Sequence, residues 1–234
     1  MIVNERMVTY INSLDQGHTP FLEELEARAR EARVPIIRRE MQSFLKTLLA
    51  MNQPQNILEV GTAVGFSALL MAQYGPCDCR ITTIENYEKR IPVARENFRR
   101  AGMEDRITLL EGDAADILKD LKGPYDLIFM DAAKGQYLHF LPELLRLLPV
   151  GGVLVSDNVL QDGDIIESHF AVERRNRTIY KRMREYLRRL KQDPRLSTSI
   201  LPLGDGVTVS VKVREEESIR KNRNCWYKTA VWKF

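Results

Sequence analysis

Two aspartates and an asparagine follow apolar segments that have the composition of buried strands. Asp131 comes directly after one such segment, and Asp157 and Asn158 come directly after the next. Carboxylate and amide oxygens suit a hard cation such as Mg²⁺, and adjacent strands lie about 5 Å apart. Because the carboxyl ends of parallel strands meet at one edge of a sheet, these three side chains are predicted to hold magnesium there. An ordinary turn acid is the alternative for either aspartate taken singly.

A turn bracketed by glycines follows the strand-like segment 56–60. Gly61 and Gly65 belong to the pattern E-x-G-x-x-x-G-x-S, which permits a tight backbone and a close ligand approach at a helix start. Because the spacing differs from the G-x-G-x-x-G fingerprint, the turn alone fits a structural loop as well as a cofactor site. Glu85 and Asp113 follow the next two predicted strands, where they could bind the ribose hydroxyls and the adenine amino group of a nucleoside. Helix capping or a solvated turn is the alternative for each acid alone.

Alternating strand-like and helical segments must position these residues. Short apolar runs begin near Ile57, Ile81, Ile107, Leu127 and Val153. This alternation predicts an α/β fold with a mostly parallel sheet and helices on both faces. Segments 196–203 and 207–213 predict a closing antiparallel hairpin. Helices are predicted over 21–32, with Thr19 as the N-cap, and over 38–51.

The composition is that of one soluble globular domain, predicted over 1–213, with a tail of unknown role over 214–234. The chain has 234 residues, of which 44% are hydrophobic and 29% charged, and its formal net charge is +3. That charge indicates no particular class of partner. No apolar signal core opens the sequence and no apolar run approaches about 18 residues, so a cytoplasmic protein with no membrane partner is expected. The three cysteines fit neither zinc nor redox spacing.

Taken together, these motifs resemble those of the cation-dependent class I S-adenosylmethionine O-methyltransferases, the family that includes catechol and caffeoyl-CoA enzymes. The similarity runs over roughly 34–213 and is carried by 34–36, 57–65, 131–137, 157–160 and 202–206. Within the family, the segments are most similar to those of bacterial tRNA 5-hydroxyuridine methyltransferases. The resemblance implies a Rossmann-like fold with seven strands.

The resemblance also implies roles for individual residues. The S-adenosylmethionine site would comprise Met41, Glu59, Gly61, Ser67, Glu85, Asp113, Ala114 and Asp131. The magnesium ligands would be Asp131, Asp157 and Asn158. Lys134, acting with Asp131, would be catalytic, either as a neutral amine that accepts a proton or as a cation that stabilises an oxyanion. A surface lysine is the alternative.

A basic segment over 167–195 bears on the choice of acceptor. It holds ten arginines and lysines against four acidic residues. A solvated helix face is one interpretation, and a surface that binds a polyanion is the other. Its predicted buried stripe is Ile179, Met183, Leu187 and Leu190. Its predicted tRNA contacts are Arg174, Arg175 and Arg177.

The expected activity is magnesium-dependent methylation of 5-hydroxyuridine at the tRNA wobble position, with the anticodon loop as the partner. Three alternatives remain open. The acceptor could be a catechol-like molecule, it could be a CoA ester, or the chain could be a noncatalytic RNA-binding module. A homodimer is a further expectation.

Overall fold

A single seven-stranded sheet organises the protein. The computed structural model describes residues 3–168, 170 and 172–216. The strands are β1 (Asn56–Val60), β2 (Arg80–Glu85), β3 (Ile107–Glu111), β4 (Leu127–Met130), β5 (Val153–Ser156), β6 (Leu196–Leu201) and β7 (Val207–Lys212). The helices are α1 (Glu5–Ser13), α2 (Pro20–Glu31), α3 (Arg39–Asn52), α4 (Phe66–Tyr74), α5 (Ile91–Arg100), α6 (Ala114–Asp120), α7 (Tyr137–Leu147) and α8 (Arg177–Gln192). Short 3-10 helices cover Lys134–Gln136 and Gln161–Ile166.

The strand order β3-β2-β1-β4-β5-β7-β6 confirms the predicted fold. Strands β1 to β5 pair in parallel, and β7 lies antiparallel between β5 and β6. The order reverses between β1 and β4, and such a switch point opens a crevice at the carboxyl ends of the strands. The hairpin of β6 and β7 confirms the predicted antiparallel closure.

Two apolar layers pack against the sheet because neighbouring strand residues face opposite sides. Ile57 packs with residues of α2 to α5, whereas Leu58 packs with residues of α6 to α8. Lys212 is an exception to the apolar pattern, being 5% exposed near the end of α7. Its ammonium donates to the carbonyl oxygens of Leu148 at 2.8 Å and Leu145 at 3.3 Å, which satisfies carbonyls that the helix end leaves unpaired.

The local predictions need small corrections. Thr19 occupies the N-cap position of α2, but its side chain forms no capping hydrogen bond. The buried stripe of α8 is Tyr180, Met183, Tyr186 and Leu190. Ile179 and Leu187 are only partly buried, because tyrosine rings rather than these aliphatic side chains fill the space beneath the helix.

Two further expectations concern membranes and the tail. None of the helices in the described ranges has the length and apolar character of a membrane span. Residues 217–234 of the predicted tail lie outside the described residues.

Candidate active site

A cavity of about 630 Å³ opens at the carboxyl ends of the central strands. Most of the residues predicted to bind a nucleoside or a metal line it, namely Met41, Gly61, Ser67, Glu85, Asp113, Ala114, Asp131, Asp157 and Asn158. The structure thus brings together side chains that are widely separated in the sequence.

The glycine turn is held in place from two directions. Gly61 has a φ of +95°, and a Cβ atom there would collide with the carbonyl oxygen of Asp131, so only glycine fits. The Glu85 carboxylate accepts hydrogen bonds from the amides of Ala63 at 2.8 Å, Asn86 at 3.0 Å and Tyr87 at 2.9 Å. Glu85 therefore joins the end of β2 to the turn after β1, while its side chain also faces the cavity.

Asp113 is both a helix cap and a residue that lines the cavity. Asp113 caps α6, because its carboxylate accepts from the Ala115 amide at 2.8 Å. It also lines the cavity together with Ala114. A cap of this kind leaves further acceptor capacity on the carboxylate, so capping is compatible with binding an amino group.

Glu59 lies below the cavity rather than in its lining. Its side chain is 0% exposed, and it accepts a hydrogen bond of 2.5 Å from the Thr83 hydroxyl. Burial raises the pKa of the Glu59 carboxyl to about 7, against the opposing effect of neighbouring hydroxyl groups. The predicted place of Glu59 in the donor site is therefore an indirect one, as a support beneath the turn.

The three predicted metal ligands occupy adjacent strand ends. Met130 and Ser156 are register partners in β4 and β5, so Asp131 and Asp157 leave the sheet side by side. The Asn158 amide group donates to Asp131 at 3.0 Å, and the Asn158 backbone donates to Asp157 at 2.7 Å. Asn158 has a φ of 58°, a region that asparagine tolerates better than most residues. The three side chains form one connected cluster.

The electrostatics of this cluster are unfavourable without added positive charge. Burial raises the pKa of Asp131, and burial together with the charge of Asp131 raises the pKa of Asp157. No group of three histidine, cysteine or acidic side chains suited to a metal occurs in the described part of the chain. The donor set here is two carboxylates and an amide, which is the composition a hard divalent cation accepts.

Lys134 is placed by a residue to which the sequence assigned no role. Its ammonium lies 3.1 Å from a carboxylate oxygen of Asp205, which is 4% exposed. Asp205 lies in the loop before β7 and lines the cavity. Arg38 also lines the cavity, and its charge partly opposes the rise in the pKa of Asp157. The sequence feature that could have indicated Asp205 was the G-D-G pattern at 204–206, which is typical of a turn. For Arg38 the sequence offered no signal beyond its charge.

No described residue of the basic segment lines the cavity, and its first half lies nearer to the cavity than its second half. Because β6 runs parallel to β5, α8 begins at the cavity edge of the sheet and ends at the opposite edge. Arg182 donates to the Gly135 carbonyl, next to Lys134, at 3.0 Å. Near the far end, Arg188 and Arg189 hydrogen-bond Glu185 and lower the pKa of its carboxyl to about 2.

The three arginines predicted to contact tRNA differ from one another. Arg174 is exposed. Arg175 is also exposed, at 2.7 Å from Glu173. Arg177 donates to the carbonyl oxygens of Val172 and Phe170, which gives it a structural task at the start of α8. None of the three lines the cavity.

Comparison with known proteins agrees with this geometry. A family model described as O-methyltransferase matches residues 12–213. A caffeoyl-CoA O-methyltransferase of Eucalyptus gunnii is 34% identical over 181 residues, covering 73% of this chain and 71% of the relative. A catechol O-methyltransferase of Niastella koreensis is 38% identical over 130 residues, covering 54% and 59% respectively. An S-adenosylhomocysteine-bound methyltransferase of Podospora anserina matches with a TM-score of 0.80 and 30% identity, covering 89% of this chain and 94% of that one. The chain therefore belongs to the O-methyltransferase family and is an S-adenosylmethionine-dependent O-methyltransferase of the caffeoyl-CoA and catechol type.

Proposed function

We propose that the protein methylates 5-hydroxyuridine at the wobble position of tRNA, giving 5-methoxyuridine, with magnesium at Asp131, Asp157 and Asn158. The observation that carries the choice of acceptor is the course of α8, which begins at the edge of the sheet where the cavity opens. Basic side chains are therefore available beside the cavity. A catechol has no phosphate groups for them to bind, whereas every nucleotide of tRNA has one.

The donor set supports a cation-assisted reaction. Two neighbouring carboxylates, of which Asp157 is buried and Asp131 partly buried, are costly without a compensating charge. Magnesium accepts carboxylate and amide oxygens. When bound, magnesium would lower the pKa of the acceptor hydroxyl, so that its proton passes to solvent water, and would orient the resulting oxyanion toward the methyl group. The methyl group would move from the sulfonium sulfur to this oxygen, leaving S-adenosylhomocysteine. The 5-hydroxyl and 4-carbonyl oxygens of 5-hydroxyuridine are adjacent, as are the two hydroxyls of a catechol. The same donor set therefore suits both acceptors.

Lys134 acts in this scheme as a cation. Its ion pair with Asp205 is made by an ammonium group, which has no lone pair with which to accept a proton. Of its two candidate roles, stabilisation of the acceptor oxyanion is therefore favoured over general-base catalysis. Asp205 holds the ammonium beside the cavity, close to Asp131.

A mouth surface, formed by Arg174, Arg175, Lys181 and Arg182, would bind the anticodon loop. All four side chains are exposed, and Arg182 contacts the 3-10 helix that carries Lys134. Phe170, 86% exposed, lies in the preceding loop. Basic and aromatic side chains together neutralise phosphates and stack on bases in single-stranded RNA.

The second candidate is an O-methyltransferase for catechol-like or CoA-ester acceptors, which the names of the relatives favour. Nucleoside mass spectrometry of tRNA from a deletion strain separates the two. The proposal expects 5-methoxyuridine to disappear and 5-hydroxyuridine to accumulate. Unchanged 5-methoxyuridine, with transfer to catechol or caffeoyl-CoA by the purified enzyme, would establish the second candidate.

Purified enzyme distinguishes catalysis from binding alone. Transfer of methyl groups to undermodified tRNA should require magnesium and stop when a chelator removes it. Binding of S-adenosylmethionine and tRNA without turnover would identify the noncatalytic RNA-binding alternative. Turnover that survives chelation would contradict the metal-assisted mechanism.

The mouth surface has a matched control at the other end of α8. Arg174→Ala with Arg175→Ala should raise the Michaelis constant for tRNA. The same change should reduce the steepness of log tRNA affinity plotted against log salt concentration. The slope should fall by about 0.7 for each phosphate of a single-stranded region that is no longer neutralised. Arg188→Ala with Arg189→Ala removes the same charge far from the cavity and should leave both quantities near their wild-type values. Equal salt slopes for the two double variants would indicate that the mouth surface is an ordinary solvated helix face.

A further inference from the structure

Tyr137 is a fully buried residue beside the two carboxylates, and nothing in the reaction outlined above uses it. Its side chain is 0% exposed and does not line the cavity. Its hydroxyl donates to the carbonyl oxygen of Asp157 at 2.9 Å and lies 3.3 Å from the carbonyl oxygen of Met130. Its ring meets that of Tyr186 edge to face, with centroids 5.6 Å apart.

Both carbonyl groups belong to the backbone that carries the carboxylates. The Met130 carbonyl directly precedes Asp131 and also accepts from the Asp157 amide at 3.0 Å. The Tyr137 hydroxyl thus ties Asp157, the first residue after β5, to Met130, the last paired residue of β4. A fixed backbone at this point sets where the two carboxylates project.

We infer that the Tyr137 hydroxyl is a positioning group that sets the separation of the Asp131 and Asp157 carboxylates for cation binding. This inference rests on the proposed magnesium site. Tyr137 also begins α7 directly after the 3-10 helix at Lys134–Gln136, so the same hydrogen bonds close the loop that carries Lys134. Loss of such outer groups commonly weakens metal binding roughly 10- to 100-fold.

The test uses the full-length protein and Mn²⁺ as a paramagnetic substitute for magnesium. Tyr137→Phe removes one oxygen atom and keeps the ring against Tyr186. Tyr125→Phe is the matched control, because Tyr125 is a buried tyrosine of the same apolar layer whose hydroxyl bonds Thr82 at 3.4 Å. Electron paramagnetic resonance of free Mn²⁺ gives the metal affinity, and calorimetry with S-adenosylhomocysteine checks the donor site.

The expected result is a roughly 10- to 100-fold weaker Mn²⁺ affinity for Tyr137→Phe and wild-type Mn²⁺ affinity for Tyr125→Phe. The S-adenosylhomocysteine affinity of Tyr137→Phe should change far less than its Mn²⁺ affinity, because Asp131 is only one of several donor-site residues that line the cavity. Equal Mn²⁺ affinity in Tyr137→Phe and the wild type overturns the inference and leaves the proposed function standing. A loss of S-adenosylhomocysteine affinity in Tyr137→Phe as large as its loss of Mn²⁺ affinity would make the hydroxyl a support of the whole site, which also overturns the inference. A wild type that binds no Mn²⁺, or an Asp157→Ala variant that binds it as tightly, would remove the proposed metal site and the inference together.

Discussion

Replacement of Glu85 by alanine should weaken methyl-donor binding strongly while leaving the sheet intact. The carboxylate accepts three backbone hydrogen bonds, one of which fixes Ala63 in the glycine turn, and it faces the cavity where the ribose is expected. Hydrogen bonds to a charged group contribute about 1.5–3 kcal/mol each. Loss of the equivalent of one such bond to the donor corresponds to a roughly 10- to 150-fold higher dissociation constant. Disorder of the turn would add to this loss.

The control for Glu85→Ala lies on the neighbouring strand. Glu111 is the register partner of Glu85, but its carboxylate pairs with Arg95 and does not line the cavity. Glu111→Ala should therefore bind S-adenosylhomocysteine as the wild type does. Calorimetric titration of both variants, each first shown to unfold cooperatively, measures the difference. A folded Glu85→Ala protein with wild-type affinity would refute the assignment of Glu85 to the donor site.

Two further predictions concern stability. Because burial raises the pKa of Glu59 to about 7 from an ordinary 4.5, the folded protein retains a proton that the unfolded chain releases between these values. The free energy of unfolding should therefore fall as pH rises through that window, by up to roughly 3 kcal/mol from this group. Glu59→Gln should reduce the difference between the free energies of unfolding that urea denaturation gives at pH 5 and at pH 8. An equal difference in the variant and the wild type would contradict this prediction. Lys212→Met should lower stability by about 1–3 kcal/mol, because it leaves the carbonyl groups at the end of α7 unsatisfied; an unchanged midpoint in thermal unfolding would count against that.

The edge of the sheet at which the site forms was predictable from the sequence, because parallel strands align their ends by hydrogen bonding. Asp131 and Asp157 follow buried strands directly, so their proximity needs only the pairing of β4 with β5. The position of Glu59 was not predictable in the same way. A residue near the end of a strand can face either a cavity or the packed core. The alternation of side chains along a strand shows which residues share a face, but not which face borders the cavity.

The contacts made after β5 depend on topology that local patterns do not specify. Lys134 meets Asp205 only because β7 inserts between β5 and β6. The same insertion makes β6 parallel to β5 and sets the direction of α8. A helical pattern shows which side chains of α8 face outward, but not which of its ends lies beside the cavity. The hydrogen bonds of Arg177 were not predictable for a related reason, since its carbonyl partners lie in an irregular loop.

The insertion of β7 between β5 and β6 also affects the chain as it leaves the ribosome. Strand β5 is complete at Ser156, but β7, the partner of its second edge, begins only at Val207. At ordinary rates of translation this interval lasts roughly 3–10 s. Throughout it, an apolar strand presents unpaired amide and carbonyl groups that can template aggregation. The nascent protein thus passes through a period of vulnerability that the finished enzyme does not share, and a chaperone acting on it would be needed most during that period.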